Sequence, residues 1–366
     1  HRYEQVEGFL KLYRNGGEGD WRDQPVGATI EDLYNDFLFY GLKAREVFRL
    51  WPGGEVIAGL DWDRTEGDYT KKISTGARDK WNGEDFVLFS PYLAASQLIG
   101  SREGLFAIPS AGIRYYDNTE FDAEWAPHVG LILGYRDTEL HAGYSRGVIY
   151  PGLDVIVFSE KVIPALRDTW KNLNAETVDH YEVGLRHRFG RIAVADVTFF
   201  YDDGKDRYVV VPPPPPPPKY GNVETYRIKG VEATLTLFPF ADLALFGGVT
   251  LLETDPADLP YAPDFTASAG LNFRFLERFR LSLDCQYLSD FHVLSQARRL
   301  NAANAQEADE FLVVNGKIAY LFDLPAWKAA GELFVAGENL TDTNYEYRPG
   351  YPMPGINGMA GVQLRF

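Results

Sequence analysis

The chain has 366 residues, a formal net charge of −16 and 45% apolar residues, enough for two soluble domains or one large barrel. The negative charge argues against a nucleic-acid partner, because phosphates require surfaces rich in Lys and Arg. A single cysteine, Cys285, excludes an intrachain disulfide and a multi-cysteine metal site.

The sequence contains no run of about 18 apolar residues and therefore predicts no membrane-spanning helix. Strands of a membrane barrel alternate lipid-facing and lumen-facing residues, so their mean hydropathy stays low. Aromatic residues make up 14% of the chain, which suits the aromatic girdles of such a barrel and equally an aromatic-rich β-sandwich. Composition alone leaves both fold classes open.

Apolar and polar residues alternate along most of the chain with the two-residue period of a pleated strand. About 16 segments follow this pattern, and helical periodicity is confined to short stretches such as Ile163–Leu173. The predicted strands lie near residues 4–14, 32–51, 54–66, 84–97, 104–117, 124–135, 138–150, 176–189, 191–211, 220–238, 242–254, 262–276, 279–296, 309–323, 329–342 and 355–366.

The connections between these strands alternate between short and long. Short ones include 136–137 and 277–278, and the first two long ones are predicted at 15–31 and 67–83. Antiparallel membrane barrels have short periplasmic turns and longer extracellular loops, whereas a soluble sandwich has no reason to keep this alternation. The sequence therefore predicts an all-β fold, a transmembrane antiparallel up-and-down β-barrel over residues 1–366.

One low-complexity segment, Pro212–Pro218, interrupts this pattern. Proline cannot donate a hydrogen bond to a strand ladder, so pairing is expected to end there and the run to adopt polyproline II geometry. The alternation of connections places it in an outward loop. A stiff spacer and a docking motif are both compatible with the run.

The sequence contains no convincing catalytic constellation. The six histidines lack metal-ligand spacing, and Gly143–Gly147 imitates G-x-S-x-G without the strand-turn-helix elbow that exposes a nucleophile. Asp202, Asp203 and Asp206 have the carboxylate density of a calcium loop but lack the closing Glu of an EF-hand. We therefore expect no enzyme and no cofactor; calcium ordering of an outer loop stays an alternative to a hydrated strand end.

The carboxy-terminal segment resembles that of the TonB-dependent outer-membrane receptors. The final predicted strand ends on an aromatic residue, which is typical of bacterial outer-membrane barrels. Internal segments also resemble those of the family: Glu182–Arg186 and Arg227–Glu232 look like family strands, and Leu259–Pro263 looks like the start of one. The first 120 residues match the family only in the alternation of strands and connections. The residues that carry the carboxy-terminal resemblance are Gly337–Asp342, Tyr345–Tyr347, Pro349–Gly355 and Phe366.

This resemblance implies energised uptake of a metal chelate, a ferric siderophore first and cobalamin second. In the family, capture outside the cell is followed by rearrangement of a plug domain, driven through the TonB protein. Family members have an amino-terminal plug and about 22 strands, so we expect the chain to be the carboxy-terminal part of a longer receptor. The resemblance further implies a monomer in the bacterial outer membrane, in contact with its lipid.

Two alternatives stay open at this stage. One is a passive, complete barrel of about 16 strands, a porin with an inwardly folded loop at residues 151–175. The other is an outer-membrane hydrolase. A porin opens spontaneously in planar bilayers whereas a plugged receptor stays closed, and activity on phospholipid or peptide substrates would identify a hydrolase.

Aromatic and arginine residues recur in the predicted outward loops. Aromatic faces and guanidinium groups suit a rigid, anionic, aromatic-bearing chelate, although Tyr and Trp also anchor any barrel at the membrane interface. Tyr69, Tyr150, Trp170 and Tyr220 belong to the same rim population. The candidate ligand-binding residues are Trp81, Tyr261, Arg298, Arg299, Tyr347, Arg348 and Tyr351. The charges expected to line a wet lumen are Glu182, Arg186, Arg188, Asp196, Glu232, Asp284, Lys317, Glu332, Glu338 and Arg365.

Overall fold

The computed structural model describes residues 1–26, 29–153, 155, 164–211, 219–223, 225–293 and 307–365. The Pro212–Pro218 run, Arg298, Arg299 and the terminal Phe366 lie outside these ranges. In the ranges described, strands dominate, and the helical segments are short.

The strands follow one another along the chain with few helical interruptions. They are β1 (Val6–Val26), β2 (Thr29–Phe48), β3 (Gly54–Ile73), β4 (Arg78–Gln97), β5 (Ile99–Gly100), β6 (Leu105–Asn118), β7 (Glu124–Tyr135), β8 (Thr138–Ile149), β9 (Glu176–Phe189), β10 (Ala193–Lys205), β11 (Arg207–Val211), β12 (Lys219–Val223), β13 (Tyr226–Phe240), β14 (Leu243–Asp255), β15 (Phe265–Phe275), β16 (Phe279–Leu288), β17 (Phe291–His292), β18 (Glu307–Ala308), β19 (Phe311–Leu324), β20 (Ala329–Glu338) and β21 (Asn357–Arg365).

Seventeen strands form one antiparallel sheet, and the hairpins β11–β12 and β17–β18 stand apart from it. Without the two-residue strand β5, this leaves 16 strands (17 − 1), the number expected from the alternating pattern. Each long strand pairs with its neighbour along the sheet in the up-and-down order, from β1–β2 to β20–β21. Among the described pairings, none joins β21 to β1. The predicted all-β, antiparallel up-and-down architecture is confirmed.

The helical segments are 3-10 turns. Pro164–Asn172 confirms the short helical pattern expected at Ile163–Leu173, and Pro325–Trp327 forms the turn between β19 and β20. In the part of the chain that the structure describes, no helix combines the length and the apolar character needed to cross a membrane.

The prediction of long loops at 15–31 and 67–83 is wrong. The β1–β2 ladder continues to the pair Val26 and Thr29, and the β3–β4 ladder continues to Lys72 and Arg78. Beyond a bilayer both faces of a strand contact water, so apolar alternation disappears there. The backbone ladder needs no particular side chains and therefore continues.

The predicted strands at 191–211 and 220–238 are each divided in two. The ladder of β9, β10 and β13 ends near Lys205, and Asp206 follows with a positive φ of 60°. Beyond it, β11 and β12 pair with each other in register from Arg207–Val223 to Val211–Lys219. β11 and β12 therefore form one separate hairpin. β11 leads to the first proline of the run, and β12 follows the last.

The two faces of the sheet differ in polarity. Tyr181, Val183 and Leu185 of β9 are 47%, 46% and 49% exposed on one face. On the other face the Glu182 carboxylate lies 3.5 Å from Nε2 of His180, whose Nδ1 lies 2.6 Å from the Asp202 carboxylate. An apolar outside and a charged inside reverse the order of a soluble protein and are typical of a membrane barrel.

The lumen face carries the charges that the alternation predicted. The register pairs Asp196 with Arg186 and Thr198 with Glu232, all opposite the apolar face. On β19 and β20, Lys317 donates a hydrogen bond of 2.6 Å to Glu332. All ten charges expected to line the lumen lie on this face by their register in the ladder.

The orientation can be tested with epitope tags on intact cells. A tag inserted within Pro212–Pro218 should bind antibody, because the run joins β11 to β12 in the sequence and these strands lie on the long-connection side. A tag at 277–278, in a short turn, should stay hidden until the outer membrane is permeabilised. Reversed accessibility would overturn the assignment of the sides.

Candidate ligand-binding site

Two clusters of buried side chains lie on the side of the long connections. The first aromatic cluster consists of Phe86, Phe121, Val155, Leu166, Trp170, Leu173 and Tyr220. The second aromatic cluster consists of Leu288, Phe291, Val293, Ala308, Phe311 and Val313, with the half-buried Tyr345 packed against it. Both draw residues from segments far apart in the chain, so they order the loops relative to the sheet.

The first aromatic cluster is centred on Trp170, which is 1% exposed. Its ring centroid lies 6.4 Å from that of Phe86 and 6.2 Å from that of Phe121, both edge-on. The Thr169 hydroxyl accepts a hydrogen bond of 3.0 Å from the backbone N–H of Tyr220. This contact joins the 3-10 helix to β12.

Several aromatics expected on the open rim are interior instead. Tyr69 and Trp170 are each 1% exposed and Tyr220 is 9% exposed. The Tyr150 hydroxyl donates to the carbonyl of Asp122 at 2.9 Å, and its ring stacks on Phe121. The interpretation of these residues as open ligand contacts is wrong: Tyr69 is buried within β3, and the segment 164–173 packs its apolar residues against Phe86 of β4 and Phe121 before β7.

The second aromatic cluster supports Tyr347 from below. The Phe311 ring centroid lies 4.7 Å from that of Tyr345 and 5.3 Å, edge-on, from that of Tyr347. Tyr347 is nevertheless 41% exposed, so one edge of its ring is packed while the rest faces solvent. Partial burial, and secondarily Tyr345, raise the pKa of the Tyr347 phenol.

Arg348 and Tyr351 form an exposed pair on the same loop. The Arg348 guanidinium carbon lies 5.1 Å from the Tyr351 ring centroid, and Tyr351 is 63% exposed. The backbone N–H of Tyr351 donates to the Arg348 carbonyl at 3.0 Å. Gly350 adopts a φ of 85° there, a conformation that side chains rarely tolerate. The turn thus presents a cation and an aromatic face together.

Asn339 holds this loop in place and is itself 2% exposed. Its side-chain amide donates to the carbonyls of Thr343 at 2.8 Å and Pro354 at 3.2 Å, and its oxygen accepts from the Thr343 N–H at 2.9 Å. The Asp342 carboxylate accepts from the Ile356 N–H at 2.9 Å. The Gly337–Asp342 motif therefore anchors the loop that carries Tyr347, Arg348 and Tyr351. The sequence of the motif did not predict this role.

Tyr261 lies near the same cluster through its backbone. It has a positive φ of 62°, and its N–H donates to the carbonyl of His292 at 2.8 Å, beside Phe291 of the second aromatic cluster. Its side chain is 48% exposed. Tyr261 is therefore bonded next to Phe291 of the second aromatic cluster, the cluster whose Phe311 also contacts Tyr347.

The other predicted site residues do not join this group in the described structure. Trp81 lies on β4, where its backbone pairs with Tyr69, and β6–β10 and β13–β15 separate it from β16 along the ladder. Arg298 and Arg299 fall between β17 and β18, outside the described residues. The candidate ligand-binding site that the structure assembles is thus Tyr261, Tyr347, Arg348 and Tyr351.

Within the described residues, no group of three or more His, Cys, Asp or Glu side chains is arranged to hold a metal ion. Asp202, from the segment with calcium-loop character, lies within β10, and its carboxylate is 2.6 Å from Nδ1 of His180 on β9. The chemistry that the assembled site offers is stacking, hydrogen bonding from a phenol and pairing with a guanidinium.

A family model for the TonB dependent receptor-like β-barrel matches residues 8–340. The fold resembles that of the copper transporter OprC, with a TM-score of 0.73 at 14% identity over 98% of this chain and 62% of that one. It also resembles the unliganded ferric citrate transporter FecA, with 0.71 at 13% identity over 100% and 60%, and the siderophore receptor PiuA from Acinetobacter baumannii, with 0.70 at 10% over 99% and 62%.

These identities establish a shared fold and no more, and the chain spans less than two thirds of the length of the structures it resembles. The family model covers most of the chain, and the antiparallel ladder and the apolar outer face are those of its barrels. The chain belongs to the family of TonB-dependent receptor β-barrels.

Proposed function

We propose that this chain forms part of the barrel of an outer-membrane receptor that takes up a metal chelate, a ferric siderophore first, by a TonB-dependent route. Family membership supports the class of protein. Resembling structures named as a ferric citrate transporter and a siderophore receptor support the class of cargo, and a copper transporter widens the range of metals.

The observation that carries this proposal is the exposed pairing of Arg348 with Tyr351 beside Tyr347. A guanidinium attracts the negative charge of a chelate, and the flanking rings offer faces for its aromatic groups. The second aromatic cluster holds Tyr347 from below, so little order has to be gained on binding. A pre-ordered rim of this kind favours capture at low ligand concentration.

The remaining parts of the proposal concern location and partners. The apolar outer face would contact outer-membrane lipid, and the lumen charges would face a plug from the same receptor. Contact with TonB would be made through that plug. The receptor would act as a monomer, because the outer face is then free to meet lipid all around.

The double variant Arg348→Ala/Tyr351→Ala should weaken binding of the ferric chelate about fivefold, because an exposed cation–π or stacking contact with the chelate contributes on the order of 1 kcal/mol. The measurement is the affinity and initial rate of labelled-chelate uptake by cells that express the full receptor. Persistence of anomalous gel mobility without boiling shows that the variant still folds.

Arg102→Ala is the matched control, because its guanidinium lies 5.3 Å from the Phe106 ring at the short-turn end. It should leave uptake unchanged. Arg298→Ala/Arg299→Ala tests the other arginines predicted for the rim in the same assay. Wild-type affinity in a folded Arg348→Ala/Tyr351→Ala variant would contradict the site.

A further inference from the structure

A recess of about 400 Å³ lies at the short-turn end of the sheet, far from the rim. Five neighbouring strands, β15, β16, β19, β20 and β21, form its wall. Its charged lining consists of Arg274, Glu277, Arg278, Arg280, Asp323, Glu332 and Arg365. This concentration of guanidinium groups is unusual in a chain whose net charge is −16.

The register shows that the recess faces the lumen. Arg274 pairs with Arg280, which is followed across the ladder by Ala319. Glu332 pairs with both Leu321 and Gln363 on the same face. The opposite face carries exposed apolar residues such as Leu333 and Leu364. A lipid headgroup on the apolar side therefore cannot reach the arginines.

One carboxylate in the recess is already neutralised. Glu332 is 8% exposed and accepts from Lys317 at 2.6 Å, and a guanidinium nitrogen of Arg280 lies 3.6 Å from its other oxygen. Two cations thus surround one buried carboxylate. Arg365 lies close enough to interact electrostatically with the same carboxylate, so one carboxylate serves three cations.

Arg274 and Arg365 add positive charge to the recess beyond what the single Glu332 carboxylate balances. Neither has an ion pair within 4.0 Å among the pairs that the structure describes. Arg274 uses its Nε to donate to the carbonyl of Glu277 at 3.0 Å, which orients the guanidinium while leaving its terminal nitrogens to other acceptors. Both residues line the same recess, Arg274 on β15 and Arg365 on β21.

We propose that this arginine recess binds an oxyanion, a carboxylate or phosphate group that reaches it from the lumen. Guanidinium groups bind such anions through two parallel hydrogen bonds, and several converging arginines reinforce one another. Four arginines face three carboxylates in the recess, so it carries a local excess of positive charge in a chain that is negative as a whole. The site is separate from the rim and does not depend on the identity of the cargo.

The test uses the purified full receptor in detergent, with inorganic phosphate and citrate as probes in calorimetric titrations. Both should bind, and Arg274→Gln/Arg365→Gln should weaken both by about tenfold or more, since each charge-assisted hydrogen bond is among the stronger ones in proteins. Arg274→Lys/Arg365→Lys keeps the charge and should retain more affinity than the Gln variant, which separates a guanidinium site from general attraction.

Arg188→Gln is the control, because Arg188 is an exposed arginine on the lumen face near another short turn, outside the recess. It should bind both probes as the wild type does, and so should the rim variant Arg348→Ala/Tyr351→Ala. Binding of phosphate alone would restrict the ligand to phosphate groups, and of citrate alone to carboxylates. No binding of either probe at millimolar concentration, or equal binding by the Gln variant, would overturn the proposal.

Discussion

Replacement of Trp170 by alanine should release the loop at 150–175 from the sheet while the barrel stays folded. Trp170 is 1% exposed and contacts Phe86 and Phe121, so the variant leaves a large cavity in the first aromatic cluster. Truncation of a buried tryptophan costs about 3–5 kcal/mol, and here the cost falls on the packing between the segment 164–173 and the sheet. The hydrogen bond from Tyr220 to Thr169 would be lost with it.

The measurement is limited proteolysis of the receptor on intact cells. The variant should be cleaved within the loop much faster than the wild type, while both keep the gel mobility of a folded barrel. Trp327→Ala is the matched control, because Trp327 is 68% exposed in a short turn. Equal resistance of the Trp170→Ala loop would show that the first aromatic cluster does not order it.

The second large effect is expected on the apolar outer face. Leu235, in the middle of β13, is 43% exposed and is paired with Ala195 and Gly247. An arginine on the lipid face costs about 2–4 kcal/mol near the bilayer midplane, because the charge loses its hydration. Leu235→Arg should lower the free energy of unfolding by this amount, measured by urea titration of the barrel in lipid vesicles.

The neighbouring residue provides the control with the same substitution. Thr234 pairs with Asp196 on the lumen face, so Thr234→Arg places its charge in water beside a carboxylate. It should change the free energy of unfolding by less than about 1 kcal/mol. Equal destabilisation by the two variants would point to a sheet buried on both faces and against a membrane barrel.

The rim residues show where sequence reasoning succeeds and where it stops. Tyr347, Arg348 and Tyr351 lie within one short loop, so their proximity follows from the chain itself. Trp170 and Tyr220 also belong to predicted loops, yet they are buried, because their partners Phe86 and Phe121 come from distant segments. Whether a loop side chain is buried depends on such contacts with distant segments. The local sequence pattern does not predict them.

The strands and their faces could be predicted from the sequence alone, because side chains alternate with a period of two and the bilayer makes one face apolar. The alternation alone places Asp196 on the lumen side, and by the same period Leu235 falls on the lipid side. Where the strands leave the bilayer, both faces are wet, the alternation ends, and only the structure showed that β1 to β4 continue. The arginine recess likewise depends on register, since hydrogen bonding between strands, and not sequence spacing, brings Arg274 and Arg365 to one cavity.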